Sequence, residues 1–317
     1  MKAVQVLGSK ESPSVVISTN LSIPEPQNDE ILVQVRAAGI TSDELSWPEL
    51  YRSSTRIPGH DLSGEVVRLG PSYTGALKTG DQVFAMLKAE ADSGCQAEYA
   101  IVSPEEISLK PQSLSHVQAA AMPIPFLTAW EALHEHAKIQ RGSSVMVTGA
   151  SGAVGLCMVQ IAAKVLHCNT TALASAKNHV LLREFGATKV IDYGDPAWDS
   201  TMEDLDAVFD TVGGEILRRS QDCVKAGGTI VTIADSPPPW ASDYASPTTW
   251  NGYNNINQVF FIVTSCGTVL SKLELLIDEK KMSPIPVTVF GAELALDAWK
   301  YAGQRGKEGK AIIEFSQ

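Results

Sequence analysis

The stretch that most constrains this chain is Ser144-Val145-Met146-Val147-Thr148-Gly149-Ala150-Ser151-Gly152-Ala153-Val154-Gly155, followed by Leu156-Cys157-Met158-Val159-Gln160-Ile161-Ala162-Ala163-Lys164. A short apolar run breaks into small residues, and a helix-type apolar pattern starts at once. Strand, glycine-rich turn, helix is the context in which such a loop signals dinucleotide binding. Small side chains let the backbone approach a pyrophosphate, and the first amides of the helix point at the anion. Ala150, Ser151, Gly152, Ala153, Val154 and Gly155 are the expected contact residues, with Ala150 where the first glycine of the common fingerprint falls. The competing reading of the same residues is a tight turn without a ligand.

The chain has 317 residues, too many for one ordinary core and suited to two domains. Hydrophobic content of 44% against 19% charged argues against extensive disorder. A net charge of −11 sets aside nucleic acid and anionic membrane as expected partners. No apolar run approaches bilayer length, and the opening Met1-Lys2-Ala3-Val4-Gln5-Val6 reads as a strand rather than a signal peptide, so the expected location is the cytoplasm. Cys95, Cys157, Cys168, Cys223 and Cys266 are scattered singly, a spacing that fits neither a disulfide framework nor a structural zinc lobe.

The first 115 or so residues carry short β-rich runs at 31–37, 64–69, 80–85 and 97–102, punctuated by Pro24, Pro26, Pro58, Pro71, Pro104 and Pro111. Such a series suggests a compact barrel or sandwich. Helical patterns open at Ser115 and again over 126–137. From Ser144 strand and helix alternate: strands at 170–174, 189–192, 207–210 and 228–233, with helices at 178–185 and 214–223 between them. That rhythm predicts a doubly wound parallel sheet. A polar, aromatic-rich stretch follows at 236–257, with Trp240 behind three prolines; it reads as a functional cover, with a floppy insertion as the alternative. A strand at 259–263, a helix at 268–279 and a last strand at 310–315 complete the chain. That last strand has no evident place in the parallel sheet, so it is expected to return to the N-terminal domain.

The end of the second strand of the alternating part bears on the cofactor. An acidic residue about 20 positions beyond the glycines would hold a ribose 2′-hydroxyl, as NAD requires. Here the position is Ser175, followed by Ala176 and Lys177. With a cation in place of a carboxylate a 2′-phosphate is accommodated, which points to NADPH, and Tyr193 after the next strand can add a hydrogen bond. The alternative is that Lys177 is a solvated lysine at a helix start.

With these residues in view, the chain resembles the medium-chain dehydrogenase/reductase superfamily along nearly its whole length, and within it the zinc-free quinone oxidoreductase-like branch. The resemblance is carried by Ala37-Ala38-Gly39-Ile40-Thr41-Ser42-Asp43, Pro58-Gly59-His60-Asp61-Leu62-Ser63-Gly64, Gly80-Asp81-Gln82-Val83, Ala121-Met122-Pro123, Leu127-Thr128-Ala129-Trp130, the glycine loop, Phe185-Gly186-Ala187, Asp210-Thr211-Val212-Gly213-Gly214 and the tail 306–310. It implies an α/β protein: a GroES-like β-barrel catalytic domain over 1–117, completed by 268–317, and a Rossmann NADP-binding domain over 118–267. It also implies an active site in the cleft between them and, commonly, a homodimer, for which the apolar run 259–263 offers an edge.

The resemblance further places Thr41 and Thr128 near the nicotinamide ribose and the backbone of Phe261 and Val263 at the carboxamide. Related quinone reductases more often carry asparagine at the Thr41 position. Zinc-dependent relatives have a cysteine where Thr41 stands and another near Ile124; they keep the histidine at His60, which alone makes a poor tetrahedral site, so no metal is expected. Without one, alcohol oxidation loses its usual device. Hydride delivery to an activated C=C bond (enone, alkenal or enoyl) or to a quinone is the expected chemistry. Tyr51, in the loop before Pro58, is the expected proton donor, with an aromatic wall as its alternative role. Trp47 and Trp240 are the further expected pocket residues. The rival functions are a zinc-type alcohol dehydrogenase and a catalytically idle NADPH-binding scaffold.

Overall fold

The computed structural model describes residues 1–235, the backbone of 248–251, and 255–315. Trp240, expected to line the substrate pocket, lies outside the described residues. The chain forms two compact units: Met1–Ile124 with Thr264–Asp278 and Pro284–Gln317, and Pro125–Val263 with Glu279–Ser283.

The first unit is built on a bent antiparallel sheet. Its central strand Ile31–Gly39 shares one edge between two partners, Tyr99–Val102 at its start (Ile31 opposite Val102) and Lys310–Glu314 at its end (Gly39 opposite Ile312). Its other edge pairs with Asp61–Leu69, and the register slips between Leu32 and Val33 and again between Val35 and Ala37. Such irregularities bend a strand and tighten its twist, the means by which a short sheet curls around its own core. Gln82–Met86 and Ile107–Leu109 continue the sheet on that side, and Val287–Gly291 lies parallel to Lys310–Glu314 on the other. Ile31, Val33, Val35, Leu62, Val66 and Val83 fill the interior. The C-terminal helix Ala295–Ala302 closes it with Ala298, Trp299 and Ala302. The Trp299 indole donates to Gln96 Oε1 at 3.0 Å, and Gln96 Nε2 donates to Gly39 O at 3.2 Å, which satisfies a buried indole and a buried amide together.

The second unit contains a sheet in the order Lys189–Ile191, Asn169–Leu173, Ser144–Thr148, Leu205–Asp210, Val224–Thr232, Asn257–Phe260 and Thr248–Asn251. All neighbours are parallel except the last pair. Ser144–Thr148 and Leu205–Asp210 are buried almost throughout, as expected of strands covered on both faces. The helix Ala153–Gln160 is buried from Gly155 to Gln160, which explains its apolar residues on every side. It widens into a π-turn at Ile161–Val165, and Pro123–Glu131 does the same at Ala132–His136. The alternating pattern thus becomes the doubly wound sheet that the sequence predicts. Among the elements beyond that reading are the strand Ser12–Ser18, largely exposed and held by its hairpin with Ala3–Ser9, the strand Val287–Gly291, the helix Ala295–Ala302, and the strand Thr248–Asn251 within the stretch read as a loop. The strand expected at 259–263 ends earlier, at Phe260. Among the described residues no helix is long and apolar enough to cross a membrane.

Candidate cofactor and substrate sites

In the second unit the glycine turn forms an open cradle. Gly149 sits in the left-handed region at φ +58°, and a Cβ there would lie 2.3 Å from Thr211 Oγ1. Gly155 faces the turn from the helix; a Cβ on it would lie 2.5 Å from Gly149 O and 2.7 Å from Ala150 Cα, so only glycine permits this approach. The sequence fingerprint centres on Ala150, whereas the residue that turns the backbone is Gly149. Ala150 itself is buried, and its amide donates to Leu173 O at 3.2 Å. A Cβ on Gly152 would meet Gly149 O at 3.2 Å and nothing else within 4 Å, so that side of the turn is open. Ser151, Gly152, Ala153 and Val154 lead straight into the helix, whose first amides have no partner within it. These features fit a dinucleotide pyrophosphate.

Past the neighbouring strand, Ala174 donates to Ile191 O at 3.0 Å, which sets Ser175 and Tyr193 at adjacent strand ends. Ser175 is half-buried and its Oγ accepts from Asn178 Nδ2 at 3.2 Å; Lys177 is exposed in the turn Ala176–Asn178, and Tyr193 is exposed as well. Thr128 is buried on Pro123–Glu131, Phe261 is buried with its ring 4.4 Å from His136, and Val263 is half-buried.

In the sequence Asp210 stands out only as part of the Asp210-Thr211-Val212-Gly213-Gly214 motif. In the structure it is the hub of this unit's strand ends. Its fully buried carboxylate accepts Thr148 Oγ1 at 2.6 Å and Thr232 Oγ1 at 2.8 Å. It also accepts the amides of Val212 at 3.2 Å and Gly213 at 3.0 Å. The signal in the sequence was a carboxylate closing an apolar strand.

The first unit holds a second buried polar cluster. Glu44 is completely buried: Oε1 accepts the Gly59 amide at 2.5 Å and lies 3.2 Å from His60 Nδ1, off the line of a hydrogen bond, and Oε2 has no partner among the described residues. Burial works against charge on His60, but the neighbouring Glu44 and Asp61 carboxylates outweigh it and hold the imidazole above its ordinary pKa. The Trp47 ring sits 5.3 Å from His60, and its indole donates to Asp43 at 3.1 Å. Next door, Asp61 accepts the Ile124 amide at 2.7 Å and the Lys310 ammonium; burial nonetheless keeps its carboxyl above the usual range. Burial also pushes the Cys95 thiol well up, which marks it as inert.

Tyr51 is half-buried on the short helix Pro48–Arg52. Its hydroxyl donates to Leu45 O at 2.7 Å, and the Arg56 guanidinium lies 5.9 Å from its ring. Burial and the charge of Glu11 raise its pKa, against the pull of Arg56. Thr41 is half-buried and its carbonyl accepts the Glu44 amide at 3.1 Å. Thr41 and Ile124 bring no sulfur, and among the described residues no three His, Cys, Asp or Glu side chains converge to hold a metal.

Two family models match: residues 27–112, within the first unit, match the alcohol dehydrogenase GroES-like domain, and residues 185–313, which span parts of both units, match a zinc-binding dehydrogenase family. The chain belongs to the medium-chain dehydrogenase/reductase superfamily. Within it, the chain is 29% identical over 311 residues to the 2-methylene-furan-3-one reductase of Solanum lycopersicum, covering 94% of this chain and 74% of that protein. It is 29% identical over 310 residues to the chloroplastic NADPH-dependent alkenal/one oxidoreductase of Arabidopsis thaliana, covering 94% and 75%. The quinone oxidoreductase structure from Coxiella burnetii superposes with a TM-score of 0.82 at 26% identity over 99% of both chains. The superfamily's two-part plan, a GroES-like domain and a Rossmann-type sheet, accounts for both sheets described above.

Proposed function

We propose that this protein is an NADPH-dependent oxidoreductase that reduces the activated C=C bond of enones, alkenals or enoyl groups, or a quinone, without zinc. The observation that carries this is the Gly149–Gly155 cradle followed by Ser175 and Lys177, a strand end with a cation where NAD binders place a carboxylate. The names of the tomato and Arabidopsis relatives support the same substrate class.

When bound, NADPH supplies the hydride. The protein's part is to hold the dinucleotide at the turn, to receive its 2′-phosphate at Ser175, Lys177 and Tyr193, and to line the ribose with Thr41 and Thr128. Phe261 and Val263 offer backbone to the carboxamide. The donor set favours chemistry without a metal: Thr41 offers a neutral hydroxyl, Ile124 a hydrocarbon, and His60 an imidazole set against Glu44. An acceptor that is already electrophilic suits such a site. Tyr51 remains our candidate to hydrogen-bond the oxygen on which charge develops, after exchanging its bond to Leu45 O. The cytoplasm and a homodimer through the run 259–263 belong to the same reading, the latter visible as twice the chain's mass in sedimentation.

The test is NADPH oxidation against 2-alkenals, cyclic enones, enoyl thioesters and quinones, with the metal content of the protein measured alongside. Turnover by zinc-free protein is expected. Alcohol oxidation that rises in step with bound zinc, with no turnover of activated acceptors, would overturn the proposal.

A further inference from the structure

A carboxylate buried between parallel strands is costly unless every lone pair finds a donor. Asp210 meets that condition with hydroxyls and amides; among the described residues no cation pairs with it. The donors come from distinct places: Thr148 ends the central strand Ser144–Thr148, Thr232 ends Val224–Thr232, and Val212 and Gly213 lie in the loop that follows Asp210 itself. One side chain therefore ties three strand ends to one loop just where the backbone ladder stops.

Thr211 completes the knot. Its amide donates to Thr148 Oγ1 at 3.2 Å, and its hydroxyl donates to Thr148 O at 2.9 Å. The same hydroxyl and the Val212 methyl lie over Gly149, close enough that a Cβ there would sit 2.3 and 2.9 Å from them. Beyond the loop, Asp235 accepts the Gly214 amide at 2.5 Å. The loop 211–214 is thus held from beneath by Asp210 and from beyond by Asp235, and it forms the wall against which the glycine turn rests.

We propose that Asp210 is a positioning residue of the dinucleotide site: through Thr148, Thr232 and the 212–213 amides it fixes the loop 211–214 against the Gly149 turn, and so sets the affinity for the cofactor. The proposal rests on the dinucleotide reading above. It explains why the position carries a carboxyl group: each neighbour is a donor, and an amide of the same size would turn one acceptor oxygen into an NH2 group facing another N–H or O–H.

The decisive experiment is direct NADPH binding to the full chain, read by cofactor fluorescence, with thermal unfolding followed in parallel. Asp210→Asn should weaken NADPH binding by about tenfold or more in protein that remains folded. Thr148→Val and Thr232→Val, which each remove one donor, should weaken it by about threefold to tenfold, with the double variant showing less than the sum because both act through one carboxylate. Thr148→Ser, which restores the hydroxyl, should recover wild-type affinity. Thr188→Val is the control: it removes a hydroxyl that donates to Thr170 O at 2.9 Å just before the edge strand Lys189–Ile191 of the same sheet, and should lower stability without moving the NADPH affinity. If Asp210→Asn fails to fold, the threonine variants carry the test. Affinities within twofold of wild type across the Asp210 and threonine variants would overturn the proposal, as would an equal loss in Thr188→Val. Wild-type protein that binds no dinucleotide would instead remove the functional reading itself.

Discussion

Lys177 and Asp210 mark two extremes of what a residue reveals before folding. The role we propose for Lys177 could be drawn from the sequence because it depends on type and spacing alone: a cation, at a strand end, where a carboxylate would otherwise stand. The structure leaves it exposed in the turn Ala176–Asn178. Lys177→Ala should weaken NADPH binding by about tenfold while NADH binding changes by less than about twofold; titration of both cofactors checks it, and equal losses would remove the phosphate role. Asp210 was hidden because its partners Thr148 and Thr232 lie on strands adjacent only in the folded sheet. Glu44 was hidden for a similar reason. Its contacts with Gly59 and His60 join segments 15 or so residues apart, and a glutamate between Asp43 and Leu45 looks solvated in sequence. For Tyr51 the structure adds partners that the sequence does not show: its hydroxyl donates to Leu45 O and its ring lies near Arg56.

At the scale of elements, legibility followed burial. The strands Ser144–Thr148 and Leu205–Asp210 announce themselves as apolar runs because both their faces are covered. Ser12–Ser18 offered no such pattern; its hydrogen bonds to Ala3–Ser9 define it more than any buried face does. The helix Ala295–Ala302 is amphipathic but short, and what fixes it is one tryptophan. Trp299 is buried in the core of the first unit and donates to Gln96. Trp299→Ala should cost about 3–5 kcal/mol, combining a cavity with an orphaned Gln96 carbonyl. Trp299→Phe retains most of the packing and should cost about 1–2 kcal/mol. Urea unfolding of the two variants checks this, and equal losses would show that the indole hydrogen bond outweighs the packing.

For the molecule as a whole, the first unit carries two histidines whose surroundings push in opposite directions, so its stability should peak between them. Burial, aided by the positive charges of Lys110 and Arg36 and opposed by Glu65, lowers His116 to about 4 from an ordinary 6.5. Its ring bridges Ser63 Oγ at 2.8 Å and Gln82 Oε1 at 2.7 Å, joining the helix His116–Ala120 to two strands. The unfolded chain takes up this proton first, so the contribution is complete above about 6.5 and is lost as pH falls toward about 4. His60 behaves in the reverse sense: its folded pKa is raised, so its contribution is full below 6.5 and declines as pH rises through the folded value. Asp61, whose carboxyl is also raised, loses stability as pH climbs from 3.8 and so works against the His116 slope at the acid end. Comparison of variants separates them. Between pH 4.5 and 6.5 the urea midpoint of His116→Gln should rise less steeply with pH than that of the wild type, while above pH 6.5 the two curves should run parallel. Glu44→Gln should lower the whole curve, because it removes the nearer of the two carboxylates that raise His60, and should flatten the decline above 6.5. Superimposable slopes for wild type and His116→Gln below pH 6.5 would show that the Ser63–His116–Gln82 bridge admits a proton at no cost to the fold.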